Sequence, residues 1–119
     1  MTYFSLMQFS ESLKKNHQFQ FVFRNGKSYA NKYLVMYVKE NGLSGNRIGI
    51  SVSKKVGNSV VRHRVTRLVR ESYRLHESIF NSGLDIVIVA RPGAATVGYY
   101  EVESALLHLG KLHQITKIY

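Results

Sequence analysis

The stretch from Ser51 to Arg74 constrains the fold more than any other part of the sequence, because its apolar residues recur with the period of an α-helix. If each residue advances by about 100°, seven side chains fall on one arc, which predicts that this side of the helix contacts a core. The residues of this arc are Val61, Val65, Leu68, Val69, Ser72, Leu75 and Ile79. We expect a helix cap at Asn58 or Ser59 and a helix end near Phe80.

The rest of the surface of this helix is almost entirely cationic. Arg67, Arg70 and Arg74 lie opposite the apolar arc, at spacings where like charges repel one another. His63 joins them, and the segment contains a single acid, Glu71. A solvated helix face normally mixes glutamate with lysine, whereas arginine is the residue that binds phosphate in a bidentate manner. The pattern therefore favours a polyanionic partner.

Composition narrows the choice of polyanion. The chain has 119 residues and a net charge of +10, which suits either nucleic acid or an acidic membrane surface. No segment approaches the ~20 apolar residues of a membrane span, and no basic helix has a broad aromatic face opposite its charges. The absence of cysteine excludes disulfides and is compatible with a reducing cytosol. We expect one domain over residues 1–119, with residues 1–12 as a flexible arm.

A short first helix is predicted from Asn16, as its N-cap, to Gly26, which terminates it. Phe19, Val22 and Phe23 share one face of this helix because they are three and four residues apart. Their spacing alone favours an ordinary core contact for both phenylalanines.

Strand patterns fill the middle of the chain. Residues 33–39 and 47–53 alternate between apolar and polar, and the turn residues at 41–46 between them predict a hairpin. Residues 84–90 form a continuous apolar run, which is typical of a strand buried on both faces. A final helix is expected over residues 98–112. The predicted order is α, β-hairpin, α, β, α.

The face of the hairpin that points away from the core carries two tyrosines, Tyr33 and Tyr37, beside the small polar residues Ser51 and Ser53. Such a face suits the stacking of unpaired bases, but it is equally typical of a half-exposed sheet. The residues alone leave both interpretations open.

No arrangement of residues in the sequence predicts catalysis by the chain itself. Asp85 and Glu71 are isolated acids, and Glu101 and Glu103 lie on different faces of the last helix. The histidines have no spacing typical of a zinc site, and there is no phosphate-binding glycine loop. We therefore predict neither catalytic residues nor a metal site.

The run Lys54-Lys55-Val56-Gly57-Asn58 precedes Arg62-His63-Arg64, and Arg67, Arg70 and Glu71 follow. In residue type and spacing, these ordered motifs resemble those of the bacterial ribonuclease P protein subunit. The resemblance extends over about residues 13–112, through the segments LKKNHQFQFVF, GKSYANKYLV, RIGISVSKKVGN and DIVIVARPGA. The chain departs from the family at His63, where asparagine is usual, and at Thr66, where lysine is usual.

The resemblance also implies a fold. It is a small single-domain α+β sandwich of the ribosomal protein S5 domain 2-like type, with α-ββ-α-β-α order and a mostly antiparallel sheet. The family has a left-handed β-α-β crossover around the arginine-rich helix, whereas general statistics favour a right-handed one. The last strand then lies beside its parallel neighbour.

In that family the catalyst is an RNA, which uses Mg2+ to remove the 5′ leader of precursor tRNA. The resemblance implies that this chain is the protein subunit of a cytoplasmic ribonucleoprotein, with the catalytic RNA and precursor tRNA as partners, no membrane contact and no obligate protein partner. The residues implied to contact the catalytic RNA are Lys54, Lys55, Arg62, His63, Arg64, Arg67, Arg70 and Arg74. The residues implied to form a leader-binding cleft are Phe19, Phe23, Tyr33, Tyr37, Ser51 and Ser53. The alternative is a ribosomal or other structural RNA-binding protein that has no role in cleavage.

Overall fold

The computed structural model describes residues 10–117 and consists of a five-stranded sheet with helices on both faces. The strands are β1 (Ser10–Ser12), β2 (Lys27–Ala30), β3 (Leu34–Glu40), β4 (Asn46–Ser51) and β5 (Leu84–Ala90). The helices are α1 (Asn16–Asn25), α2 (Ser59–His76) and α3 (Tyr99–Leu112), with 3₁₀ turns at Glu77–Ile79 and Pro92–Thr96. The three helices and the α+β class agree with the predicted fold.

The order of strands in the sheet is β1-β4-β5-β3-β2. β5 therefore lies in the centre, as expected for the apolar run at 84–90, and it pairs with β4 in the predicted parallel orientation. The prediction of a hairpin between β3 and β4 is wrong, because β5 lies between them; the hairpin is formed by β2 and β3. The sheet is mixed rather than mostly antiparallel, since the β1–β4 and β4–β5 pairings are parallel.

The prediction of a flexible arm over residues 1–12 is wrong for residues 10–12. They form β1, which extends the sheet beside β4, and Ser10 Oγ lies 2.7 Å from the hydroxyl of Tyr73. The contact with the buried Tyr73 helps to order this edge strand of only three residues. The remainder of the predicted arm, residues 1–9, lies outside the described residues.

Two cores occupy opposite faces of the sheet, because successive side chains of a strand point to opposite sides. The larger core joins α2 and α3 to the face that carries Leu34, Met36 and Ile86. The smaller core joins α1 to the face that carries Val87 and Tyr37. The face of β3 and β4 that was expected to point away from the core is thus partly covered by α1.

The cap of α2 was predicted well, and its buried face less well. Asn58 Oδ1 accepts a hydrogen bond of 3.0 Å from the backbone N–H of Val61, which is the N-cap geometry. Tyr73 is buried, whereas Leu75, placed on the apolar arc, is 54% exposed. The buried face is rotated toward Tyr73 because that ring packs on Phe80 and its hydroxyl reaches polar partners in the sheet. The helix also ends at His76, earlier than predicted.

The first helix begins at Asn16, but Asn16 is not its cap. Lys15 occupies the N-cap position, and the side-chain oxygen of Gln18 accepts from the backbone N–H of Lys15 at 3.1 Å. Gly26 ends the helix as predicted, with its N–H donating to the carbonyl of Val22. A Cβ at Gly26 would lie 2.7 Å from that carbonyl oxygen, so the close approach requires glycine.

Candidate nucleic-acid interface

The basic side chains of α2 fall into groups with different surroundings. His63 and Arg67 are exposed on the surface of the helix. Arg70 is half-buried, and burial lowers the pKa of its guanidinium from the ordinary value. Arg74 is paired with Glu71 one turn away, with a second hydrogen bond of 3.2 Å from Nε. The repulsion expected along this face is therefore reduced at its C-terminal end, and the strongest exposed charge lies in the N-terminal half.

Two arginines also support the local structure. Arg62 donates to the carbonyl of Gly57 at 2.9 Å, which ties the start of α2 to the loop before it. Arg64 donates to the carbonyl of Ala95 at 3.2 Å and to that of Val97, and so holds the 3₁₀ turn Pro92–Thr96 against α2. Arg64 is nevertheless exposed, so its position is fixed while its guanidinium remains accessible to solvent.

Lys54 and Lys55 lie in the loop that joins the end of β4 to the start of α2, and both are exposed. The backbone of this loop is closed by a turn in which the N–H of Val56 donates to the carbonyl of Ser53 at 3.0 Å. Ser53 itself is exposed just beyond β4. The loop therefore places two further positive charges between the sheet and the arginine-rich helix.

Three of the predicted cleft aromatics come together between α1 and the sheet. The rings of Phe19 and Phe23 lie 6.5 Å apart, and Phe23 meets Tyr37 edge-on at 4.9 Å. All three are half-buried and pack on Leu13, Val22 and Val87. The core contact favoured by spacing is thus real, but each residue also keeps part of its surface exposed.

The floor beside these rings is open toward one end of the sheet. Val35, Val89 and Ser51 are neighbours in register on the α1 face, and each is half-buried. Gly49, two residues before Ser51 in β4, lies directly under Phe19. A Cβ at Gly49 would come within 2.6 Å of the Phe19 ring. Gly49 was not singled out from the sequence, although its strand parity places it on the same face as Ser51.

Tyr33 does not join this group. It precedes β3, packs against the larger core and lines a depression formed with α3. The placement of Tyr33 in the cleft is therefore wrong: strand parity assigns a face only to residues within the strand, and the chain turns at Asn31 before β3 begins.

Most carboxylates of the described residues have other partners. Asp85, which is buried, accepts from Arg47 Nε at 2.8 Å and Nη2 at 2.6 Å, and this pairing raises the pKa of Arg47. Glu103 accepts from Tyr99, and its carboxylate lies 2.8 Å from His76. Within residues 10–117 there is no cluster of three histidine or acidic side chains able to hold a metal ion.

The fold and these surfaces together define an RNA-binding α+β protein: a basic helix, a basic loop and an aromatic cleft are grouped at one end of a mixed sheet. Across the same described residues, no helix is both long and apolar enough to cross a membrane.

Comparison with known proteins identifies the family. The family model described as "Ribonuclease P" matches residues 7–113. A ribonuclease P protein component from Lachnoclostridium phytofermentans is 71% identical over 89% of this chain and 91% of its own length. One from Alkaliphilus metalliredigens is 55% identical over 87% of this chain and 93% of its own length.

Solved structures agree with this assignment. The ribonuclease P protein of Staphylococcus aureus superposes with a TM-score of 0.82 at 35% identity, covering 88% of this chain and 96% of that one. The protein from Thermotoga maritima gives 0.78 at 32% identity, covering 85% and 96%. The chain belongs to the bacterial ribonuclease P protein family. It acts with the ribonuclease P RNA, as the protein component of an RNA-based endoribonuclease that processes the 5′ leaders of precursor tRNA.

Proposed function

We propose that the chain divides its task between two adjacent surfaces. The N-terminal half of α2 and the Lys54–Lys55 loop contact the catalytic RNA, while the cleft between α1 and the sheet holds the single-stranded leader of precursor tRNA. The observation that carries this proposal is the short connection from Ser51, on the cleft floor, to Ser59, at the start of α2. One segment of the chain thus joins the two surfaces.

The chemistry of the cleft suits a leader that varies in sequence. Aromatic rings stack on any base, because every base has a π-face, and they contribute about 1–3 kcal/mol per base. Phe19, Phe23 and Tyr37 offer partly exposed ring surface, and the small side chain of Ser51 leaves room on the floor. The cleft contains no buried donor set that would select one base over another among the residues described here.

We propose that the Mg2+ of the reaction is held by the RNA of the holoenzyme. The carboxylates of Glu71, Asp85 and Glu103 are already engaged by cationic or hydroxyl partners, and that of Glu101 accepts from the N–H of Gly98. The protein's contribution is to place positive charge between catalytic RNA and substrate, which lowers the Mg2+ concentration needed for cleavage. We place this activity in the cytoplasm. Cleavage of a precursor by the RNA subunit, measured against Mg2+ with and without the chain, tests this contribution.

Replacing Tyr37 with alanine tests the cleft. Loss of one stacking ring is expected to weaken holoenzyme binding of leader-bearing precursor tRNA by about 5- to 100-fold, while the affinity for mature tRNA stays unchanged. The variant Tyr37→Phe keeps the ring and is the matched control. The measurement is the Kd of each holoenzyme for the two ligands.

Equal losses for precursor and mature tRNA would contradict the assignment of the leader to this cleft. Phe23→Ala is the companion variant, but Phe23 also packs on Val22 and Val87, so its thermal unfolding is measured in parallel. If Phe23→Ala unfolds the domain, the core role of this ring outweighs its role in binding.

Removing one exposed arginine tests the RNA surface. Arg67→Ala is expected to weaken binding of the catalytic RNA by about 10- to 100-fold, as for the loss of a charge-assisted hydrogen bond, with little change in Tm. Arg64→Ala should weaken binding and also lower Tm, because Arg64 holds the carbonyls of Ala95 and Val97.

Arg24→Ala is the matched control. Arg24 is exposed on α1, so this substitution removes the same charge from a different surface. An equal loss of affinity in Arg24→Ala and Arg67→Ala would show that only net charge matters, and would rule out α2 as the specific contact.

A further inference from the structure

A second aromatic depression lies on the opposite side of the sheet from the cleft. It is formed by the turn between β2 and β3 and by the first half of α3. Its lining includes Asn31, Lys32, Tyr33, Tyr100, Ser104 and His108. Tyr100 is 79% exposed, the most exposed large apolar or aromatic side chain among the residues described.

Asn31 builds the base of this depression. Its Oδ1 accepts from the backbone N–H groups of Tyr33 and Leu34, and its Nδ2 donates to the carbonyl of Ala105 at 2.9 Å. The same amide lies 3.1 Å from His108 Nδ1. Because the amide nitrogen is a donor, Nδ1 of the neutral ring must be the acceptor, so Nε2 carries the proton. His108 is exposed and therefore offers an N–H donor at the rim.

The remaining groups combine flat rings with positive charge. The ammonium group of Lys32 lies 5.6 Å from the centre of the Tyr33 ring, and Arg91 Nη1 donates to the carbonyl of Asn31 at 2.7 Å. The acid in the lining, Glu101, is directed to the N–H of Gly98 at the start of α3. The depression thus presents two rings, the cation of Lys32 and one donor, and its carboxylate is already hydrogen-bonded. Arg91 adds a second cation beside it, through its bond to the carbonyl of Asn31.

The depression lies beyond the end of the sheet toward which the cleft floor is open. Val35 and Val89 on the cleft floor are paired in register, and the next pair, Leu34 and Ala90, ends the two strands. Immediately beyond them the N–H of Arg91 donates to the carbonyl of Tyr33 at 2.9 Å. A chain leaving the cleft at this end of the sheet therefore meets Arg91 and Lys32 before it reaches Tyr33 and Tyr100.

We propose that the depression between the β2–β3 turn and α3 is a second stacking site for unpaired nucleotides, occupied by the part of a single-stranded RNA that extends beyond the cleft. Bases stack on Tyr100 and Tyr33, and the cations of Lys32 and Arg91 face the phosphates at the sheet end. The site rests on the proposed leader cleft for the direction from which the strand arrives. Its affinity comes from rings and charges that are absent from that cleft.

The test compares oligouridylates of about 4 and about 16 nucleotides, which bracket typical single-strand site sizes, for binding to the full chain by fluorescence anisotropy. Tyr100→Ala is expected to weaken binding of the 16-mer by about 5- to 100-fold and to leave the 4-mer unchanged. Tyr100→Phe keeps the ring and should bind like the unaltered chain. Phe21→Ala removes an aromatic that is 54% exposed on α1 and is the matched control.

The outcomes separate this inference from the proposed cleft. If Tyr100→Ala binds the 16-mer normally while Tyr37→Ala weakens both lengths, the second site is wrong and the cleft stands. If Tyr37→Ala has no effect and Tyr100→Ala weakens the 16-mer, the cleft assignment fails and the second site stands. An equal loss for both lengths in Tyr100→Ala would contradict continuity with the cleft, and an equal loss in Phe21→Ala would contradict a specific site altogether.

Discussion

Raising monovalent salt fourfold, from about 50 to about 200 mM, is expected to weaken binding of this chain to the catalytic RNA by several hundred- to a thousandfold. The structure supports a count of about six phosphate contacts. Of the eight predicted RNA-binding residues, Arg74 is paired with Glu71, and burial lowers the pKa of Arg70. Of the six that remain, five are exposed and Arg62 is half-buried. At about 0.7–0.9 counterions released per contact, log K falls against log salt with a slope of roughly −4 to −5.

The measurement is a titration of the RNA subunit with the chain at several salt concentrations. Arg67→Ala serves as the internal control, because loss of one phosphate contact should make the slope less steep by about one. A slope near zero would mean that binding is not dominated by phosphate contacts, and the assignment of α2 as the RNA surface would be withdrawn.

The second large effect concerns stability. Tyr73→Ala is expected to cost about 3–5 kcal/mol of the free energy of unfolding, as is typical when a buried aromatic is truncated. Tyr73 is 1% exposed, its ring lies 5.3 Å from that of Phe80, and its hydroxyl contacts both Ser10 and Asn46. Truncation therefore leaves a cavity in the larger core and also removes the hydroxyl contact to Ser10 in β1.

Tyr73→Phe is the conservative variant and isolates the hydroxyl. It should cost only about 1 kcal/mol, since Asn46 Nδ2 keeps its 2.8 Å bond to the carbonyl of Asn81. Both values come from denaturant unfolding, with the m-value as a check on two-state behaviour. Similar losses for Tyr73→Phe and Tyr73→Ala would mean that the hydrogen bonds, and not the packing of the ring, hold this part of the domain together.

Features set by local pattern could be predicted from the sequence. The buried strand at 84–90 follows from its continuous apolar run, and the Asn58 cap from the residue type and position. The alternation at Leu34 and Met36 gave the correct inner face of β3. The parallel neighbours β4 and β5 followed from the family resemblance, which supplies long-range pairing that no local pattern contains.

Features set by tertiary contacts could not be predicted in the same way. The alternation of apolar and polar residues predicts strands at 33–39 and 47–53. It does not predict that a third strand lies between them in the sheet. The burial of Tyr73 depends on hydroxyl partners 27 and 63 residues away. Tyr100 was overlooked although helical spacing places it opposite the buried Val102 and Leu106, because an exposed tyrosine has no significance until its neighbours are known.

The central position of β5 has a consequence for how this domain is made. Its two neighbours in the sheet, β3 and β4, precede it in the chain, so the ribosome has delivered both before residues 84–90 emerge. Until then β4 has no partner on that side, and the cationic helix between β4 and β5 has only an incomplete sheet to pack on. Because the sheet depends on contacts between distant parts of the chain, folding is expected to be slow and to await nearly the whole polypeptide. The proposed RNA-binding surface is therefore expected to form late in synthesis, together with the strand that completes the sheet beneath it.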